Sequence, residues 1–418
     1  MVPASSCRPQ LERALSSIAP HIDRRHLDNL TRLIDSSMQG QTRHYHTLNH
    51  ALMVADSKDA LEILIGLCHD IAQVGVDDGL PIAAEPWLAG LIRADESGAL
   101  TLVDDERTRV DQTFDIVRTI FNLSPGQTLS DLNGKNEFLS ALAASKVIDD
   151  TVDASTIAAL AVGIEATIPF RRDPDGAAQQ ALDALEDVNL RYGIGLSREQ
   201  RHEYVRRSIR IANRDVSSFA SENLLACLDD TWNLMRESSP DLRKRRPIKM
   251  GEYRLVIQKM TRFLGSLQAA NVFRGFDGEP SESQYRHLLS ATSENLSIIS
   301  SVMQTKLLAV VLLEATTSDV STAHLSPLIT SPATTPRLIT LARTAETILA
   351  IGKDSTAEFD IDRSPLSHRI ISTMSTAEIK ELTKEVSDRA PIDKKLLTQV
   401  PAALAKQARE LATLMIAT

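Results

Sequence analysis

Residues 43–51 read Arg-His-Tyr-His-Thr-Leu-Asn-His-Ala, and residues 60–70 read Ala-Leu-Glu-Ile-Leu-Ile-Gly-Leu-Cys-His-Asp. In the first segment His46 and His50 are four residues apart, which places them on one face of a helix, one turn above the other. Taken alone, such a pair is more often two ordinary surface histidines. Its meaning therefore depends on the second segment.

The second segment is apolar on nearly every side, which is typical of a buried helix rather than a surface helix. It ends in His69 and Asp70, an imidazole and a carboxylate that need partners because unpaired polar groups are costly in an apolar interior. A divalent metal ion is a partner that accepts imidazole nitrogen and carboxylate oxygen together. The pattern therefore indicates a metal site at the end of this helix.

The arrangement of these residues resembles the HD superfamily of metal-dependent phosphohydrolases, whose signature is a distant His, a His-Asp pair and a later Asp. Tyr45–Ala51 is similar to the Tyr-His-Asn-x-x-His-Ala motif of cyclic-nucleotide phosphodiesterases and departs from it mainly at Thr47. A group of bacterial HD-domain proteins of unassigned substrate resembles this chain over residues 40–315. The segments that match that group are Arg43–His50, His69-Asp70, Gly134–Leu142 and Ile164–Arg171.

The resemblance also implies a set of metal ligands. Ser208–Ser218 resembles the phosphodiesterase segment Cys-Ala-Asp-(Ile/Leu)-Ser, in which the Asp closes the metal site. Here that residue is Asp215, which lies beside an apolar helix face and so near the edge of the core, although a simple ion pair with Arg214 is the alternative. The ligands implied by the resemblance are His50, His69, Asp70 and Asp215, with His46 as the proton donor and Asp70 or Asp215 orienting the attacking water.

One departure from the phosphodiesterase pattern bears on the number of metal ions. Phosphodiesterases have a further His after the His-Asp pair that helps to hold the water bridging two metals, whereas this chain has Gln73. Glutamine is a poor metal ligand, so we expect one divalent ion, and the residues do not distinguish Mg, Mn, Zn, Fe, Co and Ni. Asp77 or Asp78 is the alternative source of ligands for a weakly held second ion.

The composition favours an all-α fold. The chain has 418 residues, of which 43% are hydrophobic and only 4% aromatic, so its core must consist mostly of Leu, Ile, Ala and Val, as in helix bundles. Runs of alternating β-branched residues joined by hairpin turns are nearly absent. We therefore predict an HD-domain helical bundle with a C-terminal helical extension.

Charge, cysteine content and hydropathy constrain location and partners. A net charge of −9 argues against non-specific nucleic-acid binding. The three unevenly spaced cysteines make neither a disulfide framework nor a zinc knuckle, which favours a reducing, cytoplasmic location. We find no continuous apolar run of about 18 residues, which predicts that the chain does not span a membrane.

Along the chain, we expect one HD-type domain at residues 1–315, a Ser/Thr/Pro-rich linker at 316–336 and the helical extension at 337–418. Within the first domain, Pro86–Arg93 is predicted to be helical. The apolar periodicity of the extension requires burial, because isolated amphipathic helices are marginal in water. Packing against the main domain or against a second copy in a homodimer would supply it.

Two further motifs and several arginines provide candidates for substrate binding. Asn136 and Glu137 stand at a predicted helix start, where an amide caps the helix or meets substrate. Arg171 follows an otherwise apolar helix end, and guanidinium binds phosphoryl oxygens through two parallel hydrogen bonds. Buried caps and ion pairs are the alternative for these motifs. The substrate-binding candidates are Arg43, Asn136, Glu165, Thr167, Arg171 and Arg214.

These observations together predict a metal-dependent phosphohydrolase or phosphodiesterase that hydrolyses a nucleotide or a related phosphorylated small molecule. The competing hypothesis is a non-catalytic HD-fold module that keeps a structural metal and senses a nucleotide or binds a partner. Gln73 favours that alternative, whereas His46 speaks against it because a structural site has no need of a proton donor. A two-iron oxygenase of HD type would require additional His ligands that the sequence does not offer.

Overall fold

The computed structural model describes residues 6–171, 173–243, 250–316, 365–384, 386, 392 and 394–417. Within these ranges the chain is mainly helical, and its only sheet is one two-stranded antiparallel pair. The all-α prediction is therefore confirmed. The predicted linker lies outside the described residues apart from Thr316.

The chain divides into two compact units, each made of two segments of sequence. The first unit comprises Met1–Ser217 and Ala269–Leu289, and the second comprises Ser218–Gln268 and Ser290–Thr418. The predicted boundaries at residues 315 and 337 stay a prediction. The described elements that begin in the first segment of the first unit are α1 (Arg8–Ile18), α2 (Arg24–Ser37), α3 (Leu48–Val54), α4 (Ala60–Cys68), α5 (Glu85–Leu88), β1 (Ile92–Ala94), β2 (Leu100–Leu102), α6 (Glu106–Val110), α7 (Gln112–Ile120), a 3₁₀ turn (Asp131–Asn133), α8 (Lys135–Ile148), α9 (Ala154–Glu165), α10 (Pro174–Tyr192), α11 (Arg198–Asp215) and a 3₁₀ turn (Ser217–Ala220).

The core of the first unit forms around three helices that are apolar on nearly every side. In α4 every residue from Glu62 to Cys68 is buried, and α8 and α9 are buried over most of their lengths. Such helices must be enclosed by neighbours, and α1, α3, α9 and α11 pack against α4. The end of α4 therefore lies within the core.

Close helix contact around α4 depends on small residues. A Cβ added at Gly66 would lie 2.7 Å from the backbone nitrogen of Ala55, so α3 and α4 approach too closely for any side chain there. A Cβ added at Gly163 of α9 would lie 2.4 Å from the side chain of Ile65. These glycines allow α3 and α9 to reach the end of α4 that carries His69.

The predicted helix at Pro86–Arg93 is wrong in its second half. Helix α5 ends at Leu88, and Gly90 adopts a left-handed φ of 76° that ends the helical path. The chain then enters β1, which pairs antiparallel with β2 so that Arg93 lies opposite Thr101. Strands this short leave almost no periodic signal in the sequence.

The second unit is also helical. Buried Arg254 of the second unit donates to the carboxylate of Glu314, and Gln258 donates 2.9 Å to the backbone carbonyl of Val386. The other elements among the described residues are α12 (Leu224–Ser238), α13 (Pro240–Arg243), α14 (Met250–Ser266), α15 (Ala269–Val272), which belongs to the first unit, α16 (Glu282–Thr316), which runs through residues of both units, α17 (Pro365–Thr373), α18 (Thr376–Lys384), a 3₁₀ turn (Lys394–Thr398) and α19 (Ala402–Ala417).

Among the described residues, one helix is long and apolar enough to cross a membrane. It is α16, whose most apolar window has a mean hydropathy of 1.9 and is 72% buried inside the protein. Polar residues, Lys306 among them, interrupt this helix, so the sequence contains no continuous apolar run of that length even though the mean hydropathy is high. That the chain does not span a membrane stays a prediction. A buried core helix passes the same test.

Candidate metal centre

His50 lies in the first turn of α3, where Thr47 caps the helix. The Thr47 hydroxyl accepts a hydrogen bond from the His50 backbone N–H, and Thr47 itself has extended backbone angles. Helix α3 therefore begins after His46, and the prediction that His46 and His50 share a helix face is wrong. The reason is local, since threonine competes as an N-cap at the position between them.

His69 follows directly after α4, and its orientation is fixed by the backbone of that helix. Its Nδ1 lies 2.8 Å from the carbonyl oxygen of Gly66, which only accepts, so Nδ1 carries the proton. The lone pair of Nε2 consequently points away from α4. A metal-binding histidine commonly has this arrangement, in which the other ring nitrogen donates to the protein.

Asp215 is the last residue of α11, and three arginines of that helix fasten it to α4. They recur at a helical spacing and all contact the first turn of α4. Arg207 binds the N-cap residue Asp59 at 3.0 Å, while Arg210 and Arg214 bind the two oxygens of buried Glu62. These ion pairs set the position of α11, and hence of Asp215, relative to α4.

The side chains of His50, His69, Asp70 and Asp215 converge in the interior of the first unit. Asp215 Oδ1 lies 2.8 Å from His50 Nε2 and 3.4 Å from His69 Nε2. Asp70 Oδ2 lies 2.9 Å from His69 Nε2 and 3.7 Å from His50 Nε2. The ligand atoms of His50, His69 and Asp215 all lie within 4.8 Å of one another, and this cluster could hold a metal ion.

Two atoms of this group are buried without a hydrogen-bond partner. His69 Nε2 and Asp70 Oδ2 approach within 2.9 Å, but their geometry makes no hydrogen bond, and each residue is at most 5% exposed. Buried polar atoms are rarely left unsatisfied. Converging lone pairs of this kind fit a cation placed between them, so the residues present suit a metal ion.

The imidazoles of the cluster favour the ionised form of its carboxylates. Burial alone would raise the pKa of Asp215, but the hydrogen bond from His50 and the nearby imidazole of His69 lower it to about 2. The pKa of Asp70 is likewise held well below its usual range, because the nearby histidines outweigh its burial. Both carboxylates are therefore ionised at neutral pH and available as ligands.

His46 lies beside this cluster without belonging to it. Its ring centroid is 6.3 Å from that of His50, and Tyr45 packs against both rings at 4.9 and 4.7 Å. The positive form of His46 is close enough to Asp70 to lower that residue's pKa. The structure thus brings the predicted proton donor next to the predicted ligands.

Gln73 contacts the cluster through Asp70. Its side-chain amide donates to Asp70 Oδ1 at 3.0 Å, while its own oxygen accepts from Asn136 at 3.0 Å. Asn136 in turn accepts from the backbone N–H of Val74 at 3.1 Å. Gln73 therefore orients Asp70, and Asn136, a predicted substrate-binding residue, is engaged in holding Gln73.

Arg43 and Arg214, predicted as substrate ligands, both have hydrogen-bond partners within the protein. The Arg43 guanidinium donates to the Asp77 carboxylate and to the backbone carbonyls of His46, Asp70 and Ile71, which uses every N–H it has. Arg214 donates to Glu62 and to the Val54 carbonyl. Both side chains position the segments that carry the cluster.

The other motif lies at the end of α9. Arg171 donates to the carbonyl and the carboxylate of Glu165, and the Thr167 hydroxyl donates to the carbonyl of Ile164. Thr167 is buried, whereas Glu165 and Arg171 are half-buried. The ion pair that the sequence left as the alternative is present, and a role in substrate binding stays a prediction.

Two charged residues near the cluster were not predicted as site residues. Burial and the negative charges of Asp70 and Asp215 raise the pKa of Glu137 to about 7. Arg274 is 4% exposed, and burial together with the charge of Arg171 lowers its pKa to about 10. Glu137 belongs to the quoted motif Gly134–Leu142, but no sequence signal marked Arg274.

Comparison with known proteins adds no relative: no family model, no curated protein and no solved structure matches this chain. The site must therefore be interpreted from its own chemistry. It combines two imidazoles, two carboxylates, one adjacent histidine and an arginine pair at a helix end.

Proposed function

We propose that this chain is a metal-dependent hydrolase that cleaves a phosphate ester in a nucleotide or a related phosphorylated small molecule. The observation that supports it best is the buried convergence of His50, His69, Asp70 and Asp215 with unpartnered Nε2 and Oδ2 atoms. Beside these ligands lie a histidine and cationic side chains, the groups that hydrolysis of a phosphate ester requires.

His50, His69, Asp70 and Asp215 would hold one divalent cation. A set of two nitrogens and two oxygens suits Mn, Fe, Co, Ni or Zn, and Mg with added waters. Such a cation supplies a Lewis acid for the phosphoryl oxygen and a bound water whose pKa is lowered towards neutrality. Gln73 keeps Oδ1 of Asp70 occupied as an acceptor, which favours one ion rather than two.

His46 is the residue we assign to proton donation. Imidazole suits this role because its unperturbed pKa lies near 6.5, and a protonated His46 would transfer a ring proton to the departing ester oxygen. The Arg43 contact to the His46 carbonyl at 3.3 Å fixes the backbone from which this ring projects. Tyr45 packs against the ring and restricts its rotation.

The decisive experiment combines elemental analysis with a hydrolysis screen on a panel of nucleotides and phosphoesters. We expect about one metal ion per chain and metal-dependent hydrolysis of at least one substrate, both lost in Asp70→Ala. Asp104→Asn, which alters an exposed ion pair with Arg109, is the matched control and should change neither. Full metal retention in Asp70→Ala would mean that the metal binds elsewhere in the chain. Wild-type protein that holds metal but hydrolyses nothing on the panel would favour the non-catalytic sensing module.

A further inference from the structure

The turn after α9 carries an arginine in an unusual backbone setting. Phe170 has a φ of 53°, the left-handed region that bulky residues rarely adopt. This conformation turns the chain back so that Arg171 reaches the carbonyl and the carboxylate of Glu165. Strained backbone persists where the surrounding structure holds it, often at a binding site.

A second arginine reaches the same turn from a distant part of the first unit. Arg274 donates to the carbonyl oxygens of Ala166 and Ile168. Its backbone is fixed by Asn213, whose side chain accepts from the Arg274 N–H at 2.9 Å and donates to its carbonyl at 2.8 Å. Two guanidiniums therefore meet at one helix end, separated by a few backbone atoms.

Capping of the α9 carbonyls does not account for both arginines. One cation satisfies the partial negative charge of a helix C-terminus, and Glu165 pairs directly only with Arg171, although its charge also acts on Arg274. Arg171 Nε is buried without a hydrogen-bond partner, and the bonds of Arg274 to carbonyls leave N–H groups unused. The pair thus has spare hydrogen-bond donors, which the oxygens of an anion would satisfy.

This arginine pair lies next to the metal cluster. Asn213, which holds Arg274, is two residues before Asp215 on α11. The negative charges of Asp215 and Glu137 both act on Arg274, which places its guanidinium within electrostatic reach of the cluster. Glu165 also contacts Arg171 directly, so the anion must fit beside that carboxylate.

We propose that Arg171 and Arg274 together form an anion subsite that binds the phosphoryl group of the substrate beside the metal cluster. The identity of the ligand as a substrate phosphoryl rests on the proposed function, whereas the affinity for a tetrahedral oxyanion does not. Guanidiniums suit such a ligand because their paired N–H groups match two of its oxygens. Arg274 is thereby a specificity-determining residue that no motif marked.

The test measures binding of inorganic phosphate to the full-length, metal-loaded protein by calorimetry. We expect Arg171→Gln and Arg274→Gln each to weaken phosphate binding about tenfold or more, the scale of a lost charged hydrogen bond. Arg274→Lys keeps the positive charge but lacks the paired N–H groups of a guanidinium. Its phosphate affinity should lie between those of the wild type and Arg274→Gln. Arg109→Gln, at an exposed ion pair with Asp104, is the control and should bind like the wild type.

The outcomes separate this inference from the proposed function. Unchanged phosphate affinity in both Gln variants, with metal content intact, overturns the subsite even if ester hydrolysis is found. An arginine-dependent phosphate affinity supports the subsite even if no ester is hydrolysed. Arg274→Gln could unfold because two carbonyls lose their donor. In that case the phosphate affinity of Arg171→Gln, a change at a half-buried residue, tests the subsite.

Discussion

Asp215 Oδ1 lies 2.8 Å from His50 Nε2, although 165 residues separate the two along the chain. Each residue is positioned by the segment that carries it. Thr47 sets the first turn of α3 for His50, and the α11 arginines on Asp59 and Glu62 set Asp215. The cluster therefore depends on how α11 docks on α4, and several predictions concern that contact.

His46 and His50 should behave differently when replaced. We expect His46→Asn to keep its metal while turnover falls about a hundredfold or more, the usual scale for loss of a general acid. His50→Ala should lose both, since its Nε2 lies within the cluster. Elemental analysis and turnover on the same preparations provide the measurement. Metal loss in the His46 variant with retention in the His50 variant would mean that the two roles are reversed.

Gln73→Ala should weaken metal binding without removing a ligand. The change takes away the hydrogen bond that fixes Asp70 Oδ1, and loss of such an outer partner typically lowers metal affinity about 10- to 100-fold. Competition with a chromogenic chelator measures the affinity. Asn136→Ala, one step further out, should cause a smaller loss in the same direction. Equal affinity in wild type and Gln73→Ala would show that Asp70 needs no such support.

Glu62→Gln tests the contact between α4 and α11. Glu62 is 3% exposed, and its loss takes the carboxylate partner from Arg214 and one of three from Arg210, so we expect a cost of about 3 kcal/mol in the free energy of unfolding. Glu199→Gln, at an exposed pair with Arg206, should cost about 1 kcal/mol or less. Urea unfolding of both variants measures the two losses of unfolding free energy. Similar losses would show that the Glu62 ion pairs do not hold α11 on α4.

The same carboxylate contributes to stability in a pH-dependent way. Burial raises the pKa of Glu62, but Arg214, Arg210 and Ser57 outweigh it, so the folded-state pKa lies below 4.5. Because the folded-state pKa is depressed, the stabilisation is present above pH 4.5 and is lost as the pH falls through the lower value. Unfolding curves of Glu62→Gln should therefore depend less on pH in the acid range than those of the wild type.

Gly66→Ala should destabilise the protein through a steric clash. Its Cβ would lie 2.7 Å from the Ala55 backbone nitrogen, and backbone gives way poorly, so a loss of about 1–3 kcal/mol is expected. Gly265, in α14, has no atom within 4 Å of the position of an added Cβ. Gly265→Ala should therefore be neutral or stabilise by up to about 1 kcal/mol, as in an unobstructed helix. Thermal denaturation of both variants and the wild type measures these changes in stability.

A chain that ends at Thr316 should keep its metal and lose stability. The cut removes α17 to α19, which carry buried Leu366, Ile370 and Leu404, and it deprives Gln258 of its Val386 partner. Elemental analysis, calorimetry and the oligomeric state in solution are the measurements. Equal stability and an unchanged oligomeric state would identify the C-terminal residues as a separate module.

The helices and the need of His69 and Asp70 for polar partners were predictable because their signals are local, whereas His50 and Asp215 were expected as ligands only through the resemblance. An all-round apolar segment such as α4 must be buried, and polar groups at its end must find partners, wherever the rest of the chain lies. The start of α3 was also available from sequence, since Thr47 is a favoured N-cap residue. Two short strands and a left-handed glycine at residue 90 left too little pattern to distinguish them from a helix.

The roles of the arginines were not predictable in the same way. The roles differ because tertiary packing brings different carbonyls and carboxylates to Arg43, Arg214 and Arg274. These partners lie up to 160 residues away along the chain, so the local sequence does not indicate them. Glu137 illustrates the same limit, because its raised pKa arises from burial and from Asp70 and Asp215 across the site. Residue type sets what a side chain is able to do, and tertiary packing sets what it does.

The distance in sequence between Asp70 and Asp215 has a consequence for biosynthesis. A ribosome adding about 5–20 residues per second needs roughly 7–30 s to pass from one to the other. During that interval the nascent chain has both imidazoles but lacks the carboxylate that completes the cluster. On the proposed function, metal loading would follow the docking of α11, and the ions that the finished chain encounters would determine which metal it acquires.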